Sequence, residues 1–537
     1  MQQVVSSAAV VPSGRWLRIT SQARLEAPTS REWMLTAIGA GLLILSFPNF
    51  DSYGFAWISL VPLLIAVARR PSPVRALILG WAFGTVFFYV TCYWLTYSMI
   101  HYGGLPTVVA YLLLIPGAVV VGTFPGLFAM LMALVIRRWG YWALLLAPVF
   151  WPALEWTRLG VTGQLWNAIG YSQAYNSILI QSAAWGGVYA VGFLIVTVNS
   201  IVVLVILKRT KWTIAGAALI VFLVGVVIVN SVPAFILDGS FISDRQHVGV
   251  VALQPNVPMN LIKSVDETRE LLERHLLLST KALEPFSENS PRLVIWPESP
   301  MNFAYGADRS FQELVARFAR DNHTSLLFNS LEPAPNNGAY NSALLINQEG
   351  RLISQYDKIR LMPFGEYVPL PQWLPGASLI SGIVGDFTPG DKYTLMPFGD
   401  HKAGVFICIE SAYPSIARRL TSEGADVLIN ISNDGYLGPT AVMRQHLANA
   451  VFRAVENNRP VLRVTNTGLS GWIQERGNVH EVTEPFKVDV RAWAITPSTT
   501  GTTFYTRHGD LFVQICAAIT LLVMGALFVS WRRSIKT

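Results

Sequence analysis

Charge is scarce in this 537-residue chain: Asp, Glu, Lys and Arg make up 14%, against about 25% in typical soluble domains. Cysteine is scarcer still. Cys92, Cys408 and Cys516 are the only three, an odd and widely spaced set that excludes a disulfide framework. There is no CxxC pair, and the eight histidines never fall at metal-ligand spacing, so no metal and no cofactor is expected. The net charge of +7 comes without any basic stripe interleaved with aromatics, which argues against a nucleic-acid partner. Residues 1–33 lack the charged start, apolar stretch and small-residue cleavage site of a signal peptide and are expected to be a retained, Arg-rich cytoplasmic tail. No internal repeat or low-complexity tract stands out.

What the chain has in abundance is apolar residues, 52% of the total, gathered into long runs. Runs at 34–50, 54–68, 76–98, 107–136, 141–157, 183–207 and 213–233 approach the roughly 20 residues that cross a bilayer, and an eighth lies at 509–530. The run at 107–136 contains Pro116 and Pro125 and is read as one kinked helix rather than two spans. Arg69, Arg70 and Arg75, then Arg137 and Arg138, then Lys208, Arg209 and Lys211 follow alternate spans, with Arg158 as the exception. Positive charge marks the cytoplasmic side, so the chain after the seventh span emerges outside, and Arg532, Arg533 and Lys536 return the tail at 531–537 to the cytoplasm. A transmembrane domain at 34–235 and a last helix at 509–530 are therefore expected, about eight spans in all.

Residues 245–497 differ: they are polar and alternate short strands with helices, the pattern of a layered α/β domain on the extracytoplasmic side. Strands are expected at 247–254, 292–297, 325–331, 341–347, 352–356, 402–408, 426–431 and 461–466, and helices at 265–283, 309–321, 412–423 and 440–457. Ser264-x-x-Glu267 and Ser310-x-x-Glu313 read as capping boxes.

Three side chains in this region could carry chemistry. Cys408 ends the apolar strand GVFIC ahead of a turn into a helix, an elbow that exposes a nucleophile and, beside a helix N-terminus, favours thiolate; an inert buried cysteine is the ordinary alternative. Glu298 closes VIWPE, where partial desolvation suits a general base, although a strand-end carboxylate can simply face water. Lys358, in YDKIR, could stabilise an oxyanion or be a solvated loop charge, and Glu366 eight residues on is equally ambiguous alone. Asn433 and Asp434 could orient a site, yet Asn-Asp-Gly is first a turn signal, and His446 reads as a packed or capping histidine rather than a base.

Strand-end Glu, loop Lys and strand-end Cys in that order resemble the nitrilase superfamily over most of 245–497, together with LQPNVP (253–258), YNSALL (340–345), ISNDGYLG (431–438) and RAVENNRPVLRVTNTGLSG (453–471). That resemblance implies a four-layer αββα sandwich and a Glu–Lys–Cys triad. Such a domain between seven spans and a final one, with the segment DKIRLMPFGEYVP (357–369), is similar to the apolipoprotein N-acyltransferase family over nearly the whole chain. The family resemblance implies Glu298 as base, Lys358 as oxyanion stabiliser, Cys408 as nucleophile, and Glu366 and Glu410 as supporting residues. Its expected partners are a phospholipid acyl donor, a diacylglyceryl-modified apolipoprotein acceptor and the membrane lipid itself. Two departures concern substrate contacts: Ile409 stands where the family often has Tyr, and LIKS (261–264) lacks a family Trp.

The implied reaction is a two-step acyl transfer through a Cys408 thioester. Residues 369–387, apolar and loop-like, are expected to form a membrane-facing arm at the entrance. A membrane-anchored amidase of the nitrilase type is the alternative enzyme, and a transporter with a soluble binding domain the non-enzymatic one.

Overall fold

The computed structural model describes residues 27–230, 247–260, 263–288, 290–335, 338–363, 365–367, 387–498 and 501–536. The expected arm at 369–387 lies outside them apart from Phe387, as do Leu261 and Ile262 of the departing LIKS stretch.

The N-terminal part is helical: α1 (Ser30–Leu45), α2 (Val61–Arg69), α3 (Pro73–Thr91), α4 (Leu95–His101), α5 (Thr107–Trp139), α6 (Ala147–Thr162), α7 (Ala183–Leu207) and α8 (Lys211–Asn230). Thr29 caps α1 with a complete capping box to Glu32. The long run with two prolines is one 33-residue helix, as its reading required. The run at 54–68 is not one helix but a 3₁₀ turn (Tyr53–Trp57) followed by the nine-residue α2, about 14 Å of helix by itself. Pro62 explains the restart, since it fits the first turn of a helix but not its interior. Helix α7 is broken at Gly186–Gly187, where Gly187 takes φ +64°, a feature its uniform apolarity concealed. Among the described residues, four stretches are long and apolar enough to cross a membrane, at 73–91, 107–162, 183–207 and 511–533, with shorter apolar helices at 53–69 and 211–227. Helices α3 and α5 pack backbone to backbone: a Cβ on Gly80 would collide with the Pro125 carbonyl oxygen, and one on Gly122 would lie 2.6 Å from the Thr85 nitrogen.

The α/β part holds two six-stranded sheets. One runs β12-β1-β2-β3-β4-β5, from β1 (Val248–Gln254), β2 (Arg292–Ile295), β3 (Ser325–Pro333), β4 (Ala339–Ile346), β5 (Leu352–Asp357) and β12 (Asp489–Ile495). The other runs β11-β10-β9-β8-β7-β6, from β6 (Leu395–Phe398), β7 (His401–Ile407), β8 (Val427–Ser432), β9 (Val461–Thr465), β10 (Gly471–Ile473) and β11 (Val479–His480). Strands β1–β3 and β7–β9 are parallel neighbours. Alternate residues divide the cores. Val250, Leu293, Ile295, Val405, Ile407 and Ile429 meet between the sheets, while Val251, Leu253 and Val294 turn outward beneath α9 (Val265–Leu283) and α10 (Arg309–Asp321). On the far face lie α11 (Pro414–Ser422) and α12 (Val442–Asn457), which completes an αββα sandwich.

The capping of α10 corrects the sequence reading. Asp308, not Ser310, accepts from the Phe311 N–H, because the chain enters the helix two residues earlier. At α9 the Ser264 hydroxyl does accept from the Glu267 N–H, and the Glu267 carboxylate accepts from Asn260.

Helix α12 is the joint between the two parts. Gln445 accepts from the indoles of Trp94 and Trp166 (3.0 and 2.8 Å) and donates to the Thr91 carbonyl (2.9 Å). Arg453 pairs with Glu456 at 2.8 Å, and Glu456 accepts from the Val188 N–H just past the α7 break. After α13 (Phe504–His508), helix α14 (Leu511–Lys536) packs on α6 and α7 and leaves Leu521, Leu522 and Phe528 exposed.

Candidate active site

The parallel strands point their carboxyl ends the same way, and the sequence places its polar residues there. Strand β2 runs out into Trp296-Pro297-Glu298, β5 into Lys358, β7 into Cys408 and β8 into Asn433-Asp434. Strand β4 is antiparallel to β3, so its beginning, with Asn341, lies at this end too.

Lys358 is 1% exposed, and its ammonium sits 2.9 and 2.8 Å from the two oxygens of Glu366 and 3.6 Å from Glu298 Oε1. Burial opposes its charge, but the Glu366 and Glu298 carboxylates outweigh that and hold its pKa above the ordinary lysine value. Asn341 ties the carboxylates together, donating through Nδ2 to Glu298 (2.8 Å) and Glu366 (2.7 Å), while its Oδ1 accepts from Asn329. Glu298 also accepts from the Asn433 N–H at 3.1 Å, and Glu366 from the Met362 N–H at 2.7 Å. Asn341 lies within YNSALL, where sequence alone gives it no site role, because a neutral amide carries no signal of its own before the carboxylates are placed around it.

Cys408 has φ +52°, a left-handed conformation that costs a non-glycine residue about 1–2 kcal/mol and marks a sharp elbow between β7 and the 3₁₀ turn at 408–412. The expectation of a thiolate is corrected here. Burial, then the Glu298 carboxylate, push the thiol well above its ordinary pKa, and Lys358 only partly offsets them. At rest the sulfur is held as the thiol. Lys358 and Glu298 lie 3.6 Å apart, and both are among the charges that act on the Cys408 thiol.

Glu410 is fully buried beneath this elbow. It accepts from the N–H groups of Ile359 (2.7 Å), Arg360 (3.0 Å) and Ile407 (2.7 Å) and from the Tyr356 hydroxyl (2.9 Å). Burial pushes its pKa up to about 7, against those donors. One carboxylate thereby fastens the Lys358 loop to the end of the Cys408 strand. Ile409 is 4% exposed and packs in the core shared with α12 and the membrane helices, so its difference from the family alters packing rather than an open surface. On the other side, the Met259 sulfur lies 3.5 Å from Asn433 Nδ2. Among the described residues no group of three or more His, Cys, Asp or Glu could hold a metal ion.

Comparison with known proteins agrees with this division of the chain. Residues 39–201 match the apolipoprotein N-acyltransferase N-terminal domain, and residues 248–502 match the carbon-nitrogen hydrolase family. An apolipoprotein N-acyltransferase of Geobacter metallireducens is 30% identical over 519 residues, spanning 94% of this chain and 96% of that one. One from Thermotoga maritima is 28% identical over 540 residues, 97% of each. Among solved structures, an amidase from Nesterenkonia sp. covers 52% of this chain and 98% of its own, with 14% identity and a TM-score of 0.36. With near-full-length identity of 30% and both halves matched in order, the chain belongs to the apolipoprotein N-acyltransferase family, as a membrane protein.

Proposed function

We propose that this protein moves a fatty acyl group from a membrane phospholipid to the α-amine of the diacylglyceryl-cysteine at an apolipoprotein's N-terminus. Glu298 takes the proton from Cys408, and the thiolate attacks the acyl ester carbonyl. Lys358 and a backbone N–H stabilise the oxyanion. The C–O bond breaks, a thioester forms, and the lysophospholipid leaves with the proton returned by Glu298. The acceptor amine then attacks the thioester, loses a proton to Glu298, and departs as an amide while the sulfur recovers that proton.

The observation that carries this reading is the pairing of an elbow thiol with a raised pKa and a carboxylate that acts on it. The carboxylate is held by Asn341 and Asn433 beside a buried, ion-paired lysine. The spans supply the reason for such a site to sit at a bilayer, since both substrates are lipids. We further propose that 34–235 and 509–530 form the membrane part and that 245–497 forms the catalytic part outside the cytoplasmic (inner) membrane. The basic residues after α2, α5 and α7 and at the C-terminus support that orientation.

The test is reconstitution in phosphatidylethanolamine vesicles with a synthetic peptide bearing diacylglyceryl-cysteine. The peptide should gain one acyl chain on its α-amine, and an N-acetylated peptide should gain none. An unchanged peptide, together with hydrolysis of small amides, would instead make the protein an amidase.

A further inference from the structure

A second buried network touches the elbow from behind. His446 on α12 is 2% exposed; its Nδ1 lies 2.9 Å from Asp434 Oδ1 and its Nε2 2.9 Å from the carbonyl oxygen of Cys408. Arg463 on β9 donates to Asp434 Oδ2 at 2.7 Å and also to Asn430 Oδ1. Asn430 donates in turn to the carbonyls of Phe406 (3.2 Å) and Cys408 (3.4 Å). The Cys408 carbonyl is thus gripped from two sides by groups that share one anchor. Asp434 also accepts from Ser432. From the membrane side, the Trp166 ring lies 5.7 Å from the imidazole, and its indole nitrogen bonds Gln445, the residue before His446.

Both oxygens facing the imidazole only accept, so a hydrogen on Nε2 is what grips the Cys408 carbonyl. Burial, then Arg463, oppose a second proton and hold the His446 pKa below the ordinary histidine value, against Asp434 and the Cys408 carbonyl. The geometry matters because a trans peptide is planar: fixing the Cys408 carbonyl also fixes the Ile409 N–H on the opposite edge, and so one side of the Cys408 elbow. A left-handed cysteine held by nothing would relax.

We infer that His446, anchored by Asp434 and Arg463, is a positioning residue that holds the Cys408 elbow in its reactive conformation and couples it to the docking of α12 on the membrane helices. The inference rests on Cys408 being the nucleophile. It gives His446 a role although it never meets substrate.

The experiment is single-turnover acylation of the full-length protein in phosphatidylethanolamine vesicles with deuterated acyl chains, following the acyl mass on Cys408. His446→Ala should slow acylation about 100-fold, the usual cost of misplacing a reacting group by about 1 Å, with the half-saturating lipid concentration unchanged. His446→Gln, whose amide can still donate to the Cys408 carbonyl, should recover about tenfold over Ala. If His446→Ala does not fold, Asp434→Asn decides, because it keeps size and packing but removes the anchoring charge; acylation should fall about tenfold. Equal rates in wild type and variant, or Gln no better than Ala, overturn the positioning role while leaving Cys408 the nucleophile. An absence of acyl mass on Cys408 in the wild type overturns the parent reading instead.

Discussion

Glu366→Gln is the substitution whose outcome follows most directly from the geometry. The Glu366 carboxylate accepts from Lys358 on both oxygens, from Asn341 and from the Met362 N–H. A glutamine keeps one accepting oxygen and turns an NH₂ toward the remaining donors, so at least one of these bonds becomes a donor–donor contact. At an effective dielectric of about 20, unit charges at 2.8 Å attract by roughly 6 kcal/mol and at 3.6 Å by roughly 5 kcal/mol, before desolvation is counted. Neutralising Glu366 therefore leaves Glu298 as the nearest partner of the Lys358 charge. Removing one member of a buried pair costs about 3–5 kcal/mol, and with one acceptor retained the loss of stability should be about 2–3 kcal/mol. The larger effect is chemical. A Glu298 drawn into an ion pair is a weaker base, and acylation of Cys408 should fall about 10²–10³-fold, within the range that general bases contribute. Stopped-time acylation and iodoacetamide labelling of Cys408 should fall together, beside a lowered melting temperature in detergent. A destabilised variant that acylates at the wild-type rate would refute the view that Glu366 keeps Lys358 from capturing the base.

Asn341→Leu removes the shared donor of Glu298 and Glu366 and should slow acylation about 100-fold in the same assay, with lipid affinity unchanged. Gln445→Leu leaves the indoles of Trp94 and Trp166 unpaired in a buried joint and should cost about 2–4 kcal/mol, read as faster hydrogen exchange in α12. Burial raises the pKa of Glu410 from 4.5 to about 7, so the folded state binds this proton more tightly than the unfolded one. Its contribution is present below pH 4.5 and is lost as pH rises through about 7, on the order of 3 kcal/mol. Unfolding in urea should show that decline in the wild type and a flatter dependence in Glu410→Gln.

Much of this was legible because the decisive signals are local. Apolar runs report a bilayer wherever they occur, and Glu298 and Cys408 announce themselves at the ends of apolar strands, where the parallel topology gathers functional groups. The prolines of α5 could be weighed against its length. The remainder depended on tertiary context. Strand β12 was not foreseen in DVRAWAI because only its pairing with β1 defines it. Asp308 outcompeted Ser310 by position rather than by type. The thiol at the elbow was expected to ionise from its helix-end setting, and burial beside Glu298 overrode that small local field. Asn341 and His446 were undervalued for one shared reason: their worth lies in the partners they join, which come from strands and loops 25 to 43 residues away for Asn341 and 12 to 38 for His446.

The most direct test of the central claim is mass analysis of the protein after incubation with a phospholipid labelled in its acyl chain and without any amine acceptor. The account predicts one labelled acyl chain, labile to hydroxylamine, on the peptide containing Cys408, and none in Cys408→Ala. A label on another residue, or acyl transfer that continues in Cys408→Ala, would contradict it.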